Sequence, residues 1–180
     1  DGRMIHTGGK FIKDVVGYNL TALLTGSEGT VGIMTEALLR RTARPQYAHT
    51  ALVEFAALDD ASRAVNAILA AGLLPAALEL MDETAIACIE EAMHLGLSLE
   101  VEAILLVETD GSDGTAVLSE IESVAAICRE RGARQVKVAK DEAERSDFWK
   151  ARRSVSPALA RRAPNKLGED ITVPRSAIPE

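Results

Sequence analysis

The sequence predicts an α+β fold in which helices cover one face of an antiparallel sheet. From about residue 45 onward, segments with the two-residue period of strands alternate with segments of helical period. In addition, Leu52-Val53-Glu54 and Leu106-Val107-Glu108 each open a strand-helix-strand unit. Two such units pack as a split β-α-β arrangement of the ferredoxin type.

The first unit begins with a predicted strand at residues 50–55, which alternates apolar and polar side chains. Asp59 or Asp60 then caps a predicted helix that ends at Gly72. Its inward stripe consists of Ala64, Val65, Ile68 and Leu69. A second strand is predicted at residues 75–81.

An additional helix joins the two units. Asp82 starts it and Gly96 closes it. The second unit has predicted strands at residues 102–109 and 135–139.

Between those two strands, a turn at residues 110–114 leads into a long helix that closes at Gly132. The turn is better explained as a helix cap than as a calcium loop, because the calcium pattern is incomplete. Asp141 opens a last helix, which Pro157 should kink or end.

Composition excludes several classes of protein. Of the 180 residues, 47% are hydrophobic and 26% charged, which excludes wholesale disorder. Aromatic residues are only 3%, so the core must be aliphatic. A net charge of −7 and the lack of a basic stripe argue against a nucleic-acid partner.

The chain contains two cysteines, Cys88 and Cys128, without metal-type spacing. They are expected to be buried thiols in a reduced compartment, with a disulfide as the alternative. No apolar run is long enough to span a bilayer, and no export signal opens the chain. These features predict a cytoplasmic protein, either free or associated with a membrane through partners.

Residues 1–44 are rich in glycine and threonine and are expected to form a loop-rich layer that binds a ligand. Within it, TGGKFIKDVVGYNLTALLTGSEGTVGIMTEALLR (residues 7–40) resembles the FAD-linked 2-hydroxyacid oxidase/dehydrogenase family, of the glycolate oxidase and D-lactate dehydrogenase type. The family pattern is T-G-G-K, then G-Y-D-L, then G-S-E-G-T-L-G-I-I-T-E. Later blocks are similar too, namely ALELMD (77–82), LVETDG (106–111), WKARR (149–153) and EDITVPR (169–175), the last a strand in the family.

The resemblance implies two partial domains. Residues 1–44 would be the C-terminal part of a VAO/PCMH-type FAD-binding domain. Residues 45–180 would be an incomplete, ferredoxin-like cap domain that contacts substrate. Because the chain lacks an initiator Met and the family's pyrophosphate loop, we expect it to be a piece of a longer protein.

The resemblance also implies FAD-binding residues in the first 44 positions. A glycine-rich turn lets backbone N–H groups approach a cofactor, although glycine is also used in plain turns. Asn19 replaces the family's aspartate and removes its charge. The implied FAD-binding residues are Gly8, Gly9, Lys10, Gly17, Tyr18, Asn19, Gly26, Ser27, Glu28, Gly29, Thr30, Gly32 and Ile33.

Arg152 is the candidate for substrate binding, because a guanidinium can hold a carboxylate through two parallel hydrogen bonds. Ser156 lies one helical turn further and could add a hydroxyl contact. The alternative for Arg152 is an ordinary ion-pairing arginine. Lys166 lies near the place where D-2-hydroxyglutarate dehydrogenases have a lysine, just before the last strand, but it is out of register, so no role is assigned to it. No catalytic base or metal ligand is predicted in this chain.

The implied function is oxidation of a D-2-hydroxy acid to the 2-oxo acid by hydride transfer to FAD. The partners would be the acid itself and either other oxidase subunits or further copies of the protein. We expect the 180-residue chain alone to be inactive and to retain FAD poorly. The alternative is a ferredoxin-like regulatory or subunit-association module without redox activity.

Overall fold

A four-stranded antiparallel sheet organises the part of the chain after residue 45 in the structure, a computed structural model that describes residues 2–163 and 165–178. Its strands are β1 (Tyr47–Phe55), β2 (Ala77–Asp82), β3 (Ala103–Gly111) and β4 (Ala133–Val138). Their order across the sheet is β2-β3-β1-β4, and every neighbouring pair is antiparallel. This arrangement confirms the predicted α+β, ferredoxin-like sheet.

The chain divides into two compact units, Asp1–Arg44 and Pro45–Glu180. The helix of the first unit is α1 (Leu20–Leu24). The helices of the second are α2 (Leu58–Ala70), α3 (Glu83–Met93), α4 (Gly114–Glu130) and α5 (Glu142–Arg162), followed by a short 3₁₀ helix at Arg175–Ala177. The assignment of the two units to an FAD-binding and a cap domain stays a prediction.

Helices cover both faces of the sheet, so the prediction that they cover one face was incomplete. Val53 and Leu105 pack with α2 and α4 on one side. Leu52 and Ile104 pack with α3 and α5 on the other. The physical reason lies in β3, which is apolar and buried at every position from 103 to 107. A strand without polar alternation has to be covered on both sides.

Aspartates cap three of the helices, as the sequence indicates. The side chain of Asp82 accepts a hydrogen bond from Ala85 N at 2.8 Å, at the start of α3. The side chain of Asp141 likewise accepts a hydrogen bond from Glu144 N at the start of α5. Asp113 accepts from Thr115 N and caps α4, so the turn before that helix has the cap role expected of it.

The start of α2 differs from the prediction. Its N-cap position is Ala57, which has no side chain to accept a hydrogen bond, and Asp59 and Asp60 lie in the first turn. The carboxylate of Glu102 accepts from Leu58 N at 3.1 Å instead. A residue distant in sequence therefore takes the cap role, which local sequence patterns do not reveal.

Two predictions about the last part of the chain have different outcomes from those expected. Of the two outcomes predicted at Pro157, an end of the helix is wrong, because α5 continues to Arg162; a kink there stays a prediction. The final turns of α5 are held against α3 by the buried Ala158 and by a bond from Arg161 Nη1 to Ala92 O. Residues 169–174 form no strand, and no strand of the described residues pairs with them.

The two cysteines lie on opposite faces of the sheet. Cys88 packs with the α3 and α5 side, Cys128 packs with the α2 and α4 side, and both are free and buried. The alternative of a disulfide is therefore wrong for this fold, because the sheet separates the thiols.

Cys128 is expected to resist thiol reagents in the native protein. Burial raises the pKa of its thiol to about 11, so at pH 8 roughly one thiol in a thousand is ionised. Ellman's reagent at pH 8 should report almost no reaction before unfolding and both thiols after unfolding in guanidinium chloride. Fast labelling of native Cys128, located by peptide mapping, would contradict this expectation.

Candidate functional site

Four polar side chains of α5 share one side of the helix. Arg145, Trp149, Arg152 and Ser156 follow one another at intervals of four, three and four residues, which matches the helical repeat. The adjoining stripe is apolar, and its buried residues Phe148 and Ala151 belong to the core cluster that α5 shares with α3 and the sheet. The packing of the apolar stripe therefore fixes which way the polar one faces.

Arg152 forms an ion pair with Glu79 of β2. Its Nε and Nη2 atoms both lie 2.9 Å from the same carboxylate oxygen of Glu79. The Nε hydrogen bond and the Nη2 ion-pair contact both lie on the side of the guanidinium. They do not use its end-on pair of N–H groups, one on each terminal nitrogen, which suits a second carboxylate. Arg152 thus pairs with Glu79, and its end-on donors make no hydrogen bond to another residue among those that the structure describes. Its role in binding substrate stays a prediction.

Ser156 lies next to Lys166. The lysine Nζ donates a hydrogen bond to Ser156 Oγ, and both residues are exposed. The sequence assigns no role to Lys166 because its register is shifted from the family position. A long, flexible side chain can compensate for such a shift. The structure thus brings Lys166 to one of the predicted substrate residues.

An open cleft of about 400 Å³ lies beside Arg152. Apart from Arg152, Asp82 and Ala85, its walls consist of large apolar side chains, namely Leu58, Leu80, Met81, Val155, Leu159 and Ile178. A cationic group beside an apolar cleft can hold a small acid by its carboxylate while the remainder contacts hydrocarbon.

In the first unit, residues 26–30 form a tight turn. Gly26 and Gly29 both have φ of +79°, and Glu28 has φ of 50°. Thr30 N and Thr30 Oγ1 both donate to Ser27 O. Apart from the glycine itself and its two chain neighbours, no atom of the described residues lies within 4 Å of the place where a Cβ would stand on Gly26 or Gly29. Glycine is therefore needed here for its backbone angles, and it leaves the turn open.

Ser27 gives this turn a feature that fits a cofactor. Its Oγ is buried and has no hydrogen-bond partner among residues 2–163 and 165–178. Buried hydroxyls nearly always have a partner, so a polar atom of a bound group would satisfy it. The turn therefore fits the FAD that the resemblance implies.

The other residues predicted to bind FAD are placed as follows. Asn19 caps α1, accepting a bond from Ala22 N at 2.9 Å. A Cβ on Gly8 would lie 3.0 Å from Thr21 Oγ1, and Gly17 has φ of +77°. The remaining ones are Gly9, Lys10, Tyr18, Gly32 and Ile33. Gly32 is half-buried and the other four are exposed. Their role in binding FAD stays a prediction.

The described residues contain neither a cluster of metal-ligating side chains nor a membrane-spanning helix. No group of three or more His, Cys, Asp or Glu side chains there could hold a metal ion. Nor is any helix in that part of the chain both long and apolar enough to cross a membrane.

Comparison with known proteins decides the family. Residues 44–180 match the family model "FAD linked oxidases, C-terminal domain". The chain belongs to this family. The family's domain accordingly includes the whole sheet, α5 and the cleft beside Arg152.

Similar curated proteins match nearly the whole chain. It is 43% identical over 178 residues to the glycolate oxidase subunit GlcD of Bacillus subtilis, which covers 99% of this chain and 38% of that protein. It is 38% identical over 179 residues to GlcD of Escherichia coli K12, covering 99% and 36%. It is 35% identical over 185 residues to the probable mitochondrial D-lactate dehydrogenase of Danio rerio, covering 100% and 37%. The chain spans little more than a third of the length of these relatives.

Solved structures support the fold. An alkyldihydroxyacetonephosphate synthase matches with a TM-score of 0.59 and 21% identity, covering 81% of this chain and 30% of that one. At this level of identity the likeness concerns the fold alone.

Proposed function

We propose that the whole protein is an FAD-dependent oxidoreductase that oxidises a D-2-hydroxy acid of the glycolate or D-lactate type to the 2-oxo acid. The observation that carries the proposal is Arg152, with end-on donors beside an apolar cleft, in a family domain. The likeness to glycolate oxidase subunits and to a D-lactate dehydrogenase supports the substrate class.

In this proposal Arg152 binds the substrate carboxylate through its end-on N–H pair. Glu79 holds the side of the same guanidinium, so the arginine is oriented before substrate arrives. Ser156 lies one turn further along α5, and Lys166, which follows the helix, donates a hydrogen bond to it. Both side chains would add polar contacts. The apolar walls of the cleft keep water away from the remainder of the acid.

The charges around the cleft sum to zero. Arg152 and Lys166 are basic, whereas Glu79, paired with Arg152, and Asp82, in the wall of the cleft, are acidic. The proposal of a monocarboxylic acid therefore rests on the likeness to glycolate oxidase subunits and to a D-lactate dehydrogenase.

The turn at residues 26–30 would contact FAD, which when bound accepts a hydride from the substrate's α-carbon. Ser27 Oγ would gain a hydrogen bond to the cofactor. The hydroxyl proton must go to a base. We assign that base to no residue of this chain.

The alternative, a regulatory or subunit-association module, has less support. Such modules bind partners through a sheet face or edge, and here helices cover both faces. Only the edge strands β2 and β4 would be left for a partner. Association with other oxidase subunits or with further copies still belongs to the proposal, because GlcD is named a subunit. The free thiols support a reduced, cytoplasmic location.

The test is to record the visible spectrum of the full-length protein in the absence of oxygen, before and after a 2-hydroxy acid is added. We expect flavin bands that bleach on addition of glycolate or D-lactate, and much less with L-lactate or D-2-hydroxyglutarate. Flavin that no 2-hydroxy acid bleaches would refute the activity. A folded full-length protein without flavin would favour the module.

The 180-residue chain serves as the matched comparison in the same experiment. Since it spans little more than a third of its relatives, we propose that it is inactive and loses FAD on gel filtration. Stoichiometric FAD retained by the isolated chain would contradict that part of the proposal.

A further inference from the structure

Glu108 stands at the meeting point of the sheet and α5. It belongs to the block Leu106 to Gly111, to which the proposed function gives no role. It lies on β3 opposite Thr50 of β1, and its side chain is only 15% exposed. A carboxylate that is largely withdrawn from water needs hydrogen-bond donors to replace the water it has lost.

One oxygen of Glu108 accepts three hydrogen bonds. Thr50 Oγ1 lies at 2.6 Å, Arg145 Nη1 at 2.8 Å and Trp149 Nε1 at 2.6 Å from Oε2. Two of these donors belong to α5 and one to β1. Glu108 therefore joins two strands and the helix through a single atom.

The other partner of Arg145 is Glu142, whose carboxylate accepts from its Nε at 2.9 Å. Hydrogen bonds to Glu142 and then to Glu108 raise the pKa of the Arg145 guanidinium, so it stays a cation. The Glu108 carboxylate is thus compensated by a permanent charge, and the contact is strong.

Helix geometry connects this contact to the candidate site. Seven residues make nearly two full turns, so Arg152 lies on the same side of α5 as Arg145. A rotation that places Arg145 and Trp149 over Glu108 also places Arg152 over Glu79. The same rotation of α5 about its axis directs Ser156, four residues after Arg152, to that side as well.

We propose that Glu108 is a positioning residue that fixes the rotation of α5 and thereby aims Arg152 at the substrate carboxylate. The inference rests on the proposed function, because it takes Arg152 as the carboxylate anchor. Glu108 itself touches neither substrate nor reacting atoms. Its effect on the reaction is transmitted by Trp149, Arg145 and the helix between them and Arg152.

The first test uses Trp149, the single tryptophan of the 180-residue chain. In a ¹⁵N-labelled sample its indole N–H should give one resonance, shifted downfield by the bond to the carboxylate. Glu108→Gln should move that resonance upfield. Glu142→Gln, which removes a different carboxylate partner of Arg145, should leave it in place. An unchanged resonance in Glu108→Gln would overturn the contact on which the proposal rests.

The second test uses kinetics of the FAD-loaded, full-length protein. Glu108→Gln should raise KM for the hydroxy acid about tenfold and change kcat less than twofold, and Glu142→Gln should change neither. In an Arg152→Met background, Glu108→Gln should alter kcat/KM less than twofold, because the residue that it positions is gone. A purely structural role would lower kcat/KM equally in both backgrounds, and that result would overturn the proposal.

The two proposals fail in different ways. If Arg152→Met leaves KM unchanged, the role of Arg152 in the proposed function is refuted, and the inference about Glu108 is refuted with it. If Arg152→Met raises KM and Glu108→Gln does not, the proposed function stands and only the inference is refuted.

Discussion

Replacing Arg152 with methionine in the FAD-loaded, full-length protein is expected to raise KM for glycolate or D-lactate about 100-fold, or about 2.7 kcal/mol. Methionine keeps the unbranched stem but loses every N–H donor. The substrate carboxylate would then lose two charge-assisted hydrogen bonds beside an apolar wall. Steady-state kinetics at fixed electron acceptor measure the effect.

The matched control is Arg153→Met, one position further along α5. Arg153 is exposed and lies outside the walls of the cleft. Its replacement should leave KM within twofold of the original value. Equal losses in the two variants would mean that general positive charge on α5, rather than Arg152, attracts the substrate.

Leu105→Ala is expected to destabilise the second unit by about 3 kcal/mol. Leu105 is fully buried at the centre of β3, between the flanking strands and under α2 and α4. The truncation leaves a cavity in a place where the rigid sheet cannot close in. Urea unfolding followed by circular dichroism measures the loss, which is a large part of the 5–15 kcal/mol typical of a domain.

Leu74→Ala is the control for that experiment. Leu74 is 81% exposed in the loop after α2, so the same truncation should cost under about 0.5 kcal/mol. Comparable losses at both positions would show that Leu105 is less tightly packed than the structure indicates.

The sequence predicts the elements of the second unit well where local chemistry decides them. Asp82 and Asp141 cap the helices as expected, because a cap bonds to backbone only three residues away. The start of α2 is missed because its cap, Glu102, lies 44 residues further along the chain. Caps of that kind depend on the finished fold.

In the candidate site, too, local sequence predicts some features, whereas others depend on residues that only the fold brings together. The positions of Arg152 and Ser156 on one side of α5 can be predicted from helical spacing. Their partners could not be predicted, since Glu79 lies 73 residues from Arg152 in sequence and is brought near only by sheet order. One signal was available for the second covered face, the unbroken apolar run of residues 103–107. Such a run indicates burial on both sides.

The order of the strands has a consequence for how the chain folds during synthesis. β1 pairs with β3 and β4, not with β2, which follows it most closely in sequence. Ala51, for example, lies opposite Val107 and Val138. A nascent chain that has emerged only as far as β2 therefore has no neighbour for β1. Pairing between strands that are distant in sequence slows folding, and the aliphatic residues of β1 stay exposed to chaperones until β3 leaves the ribosome.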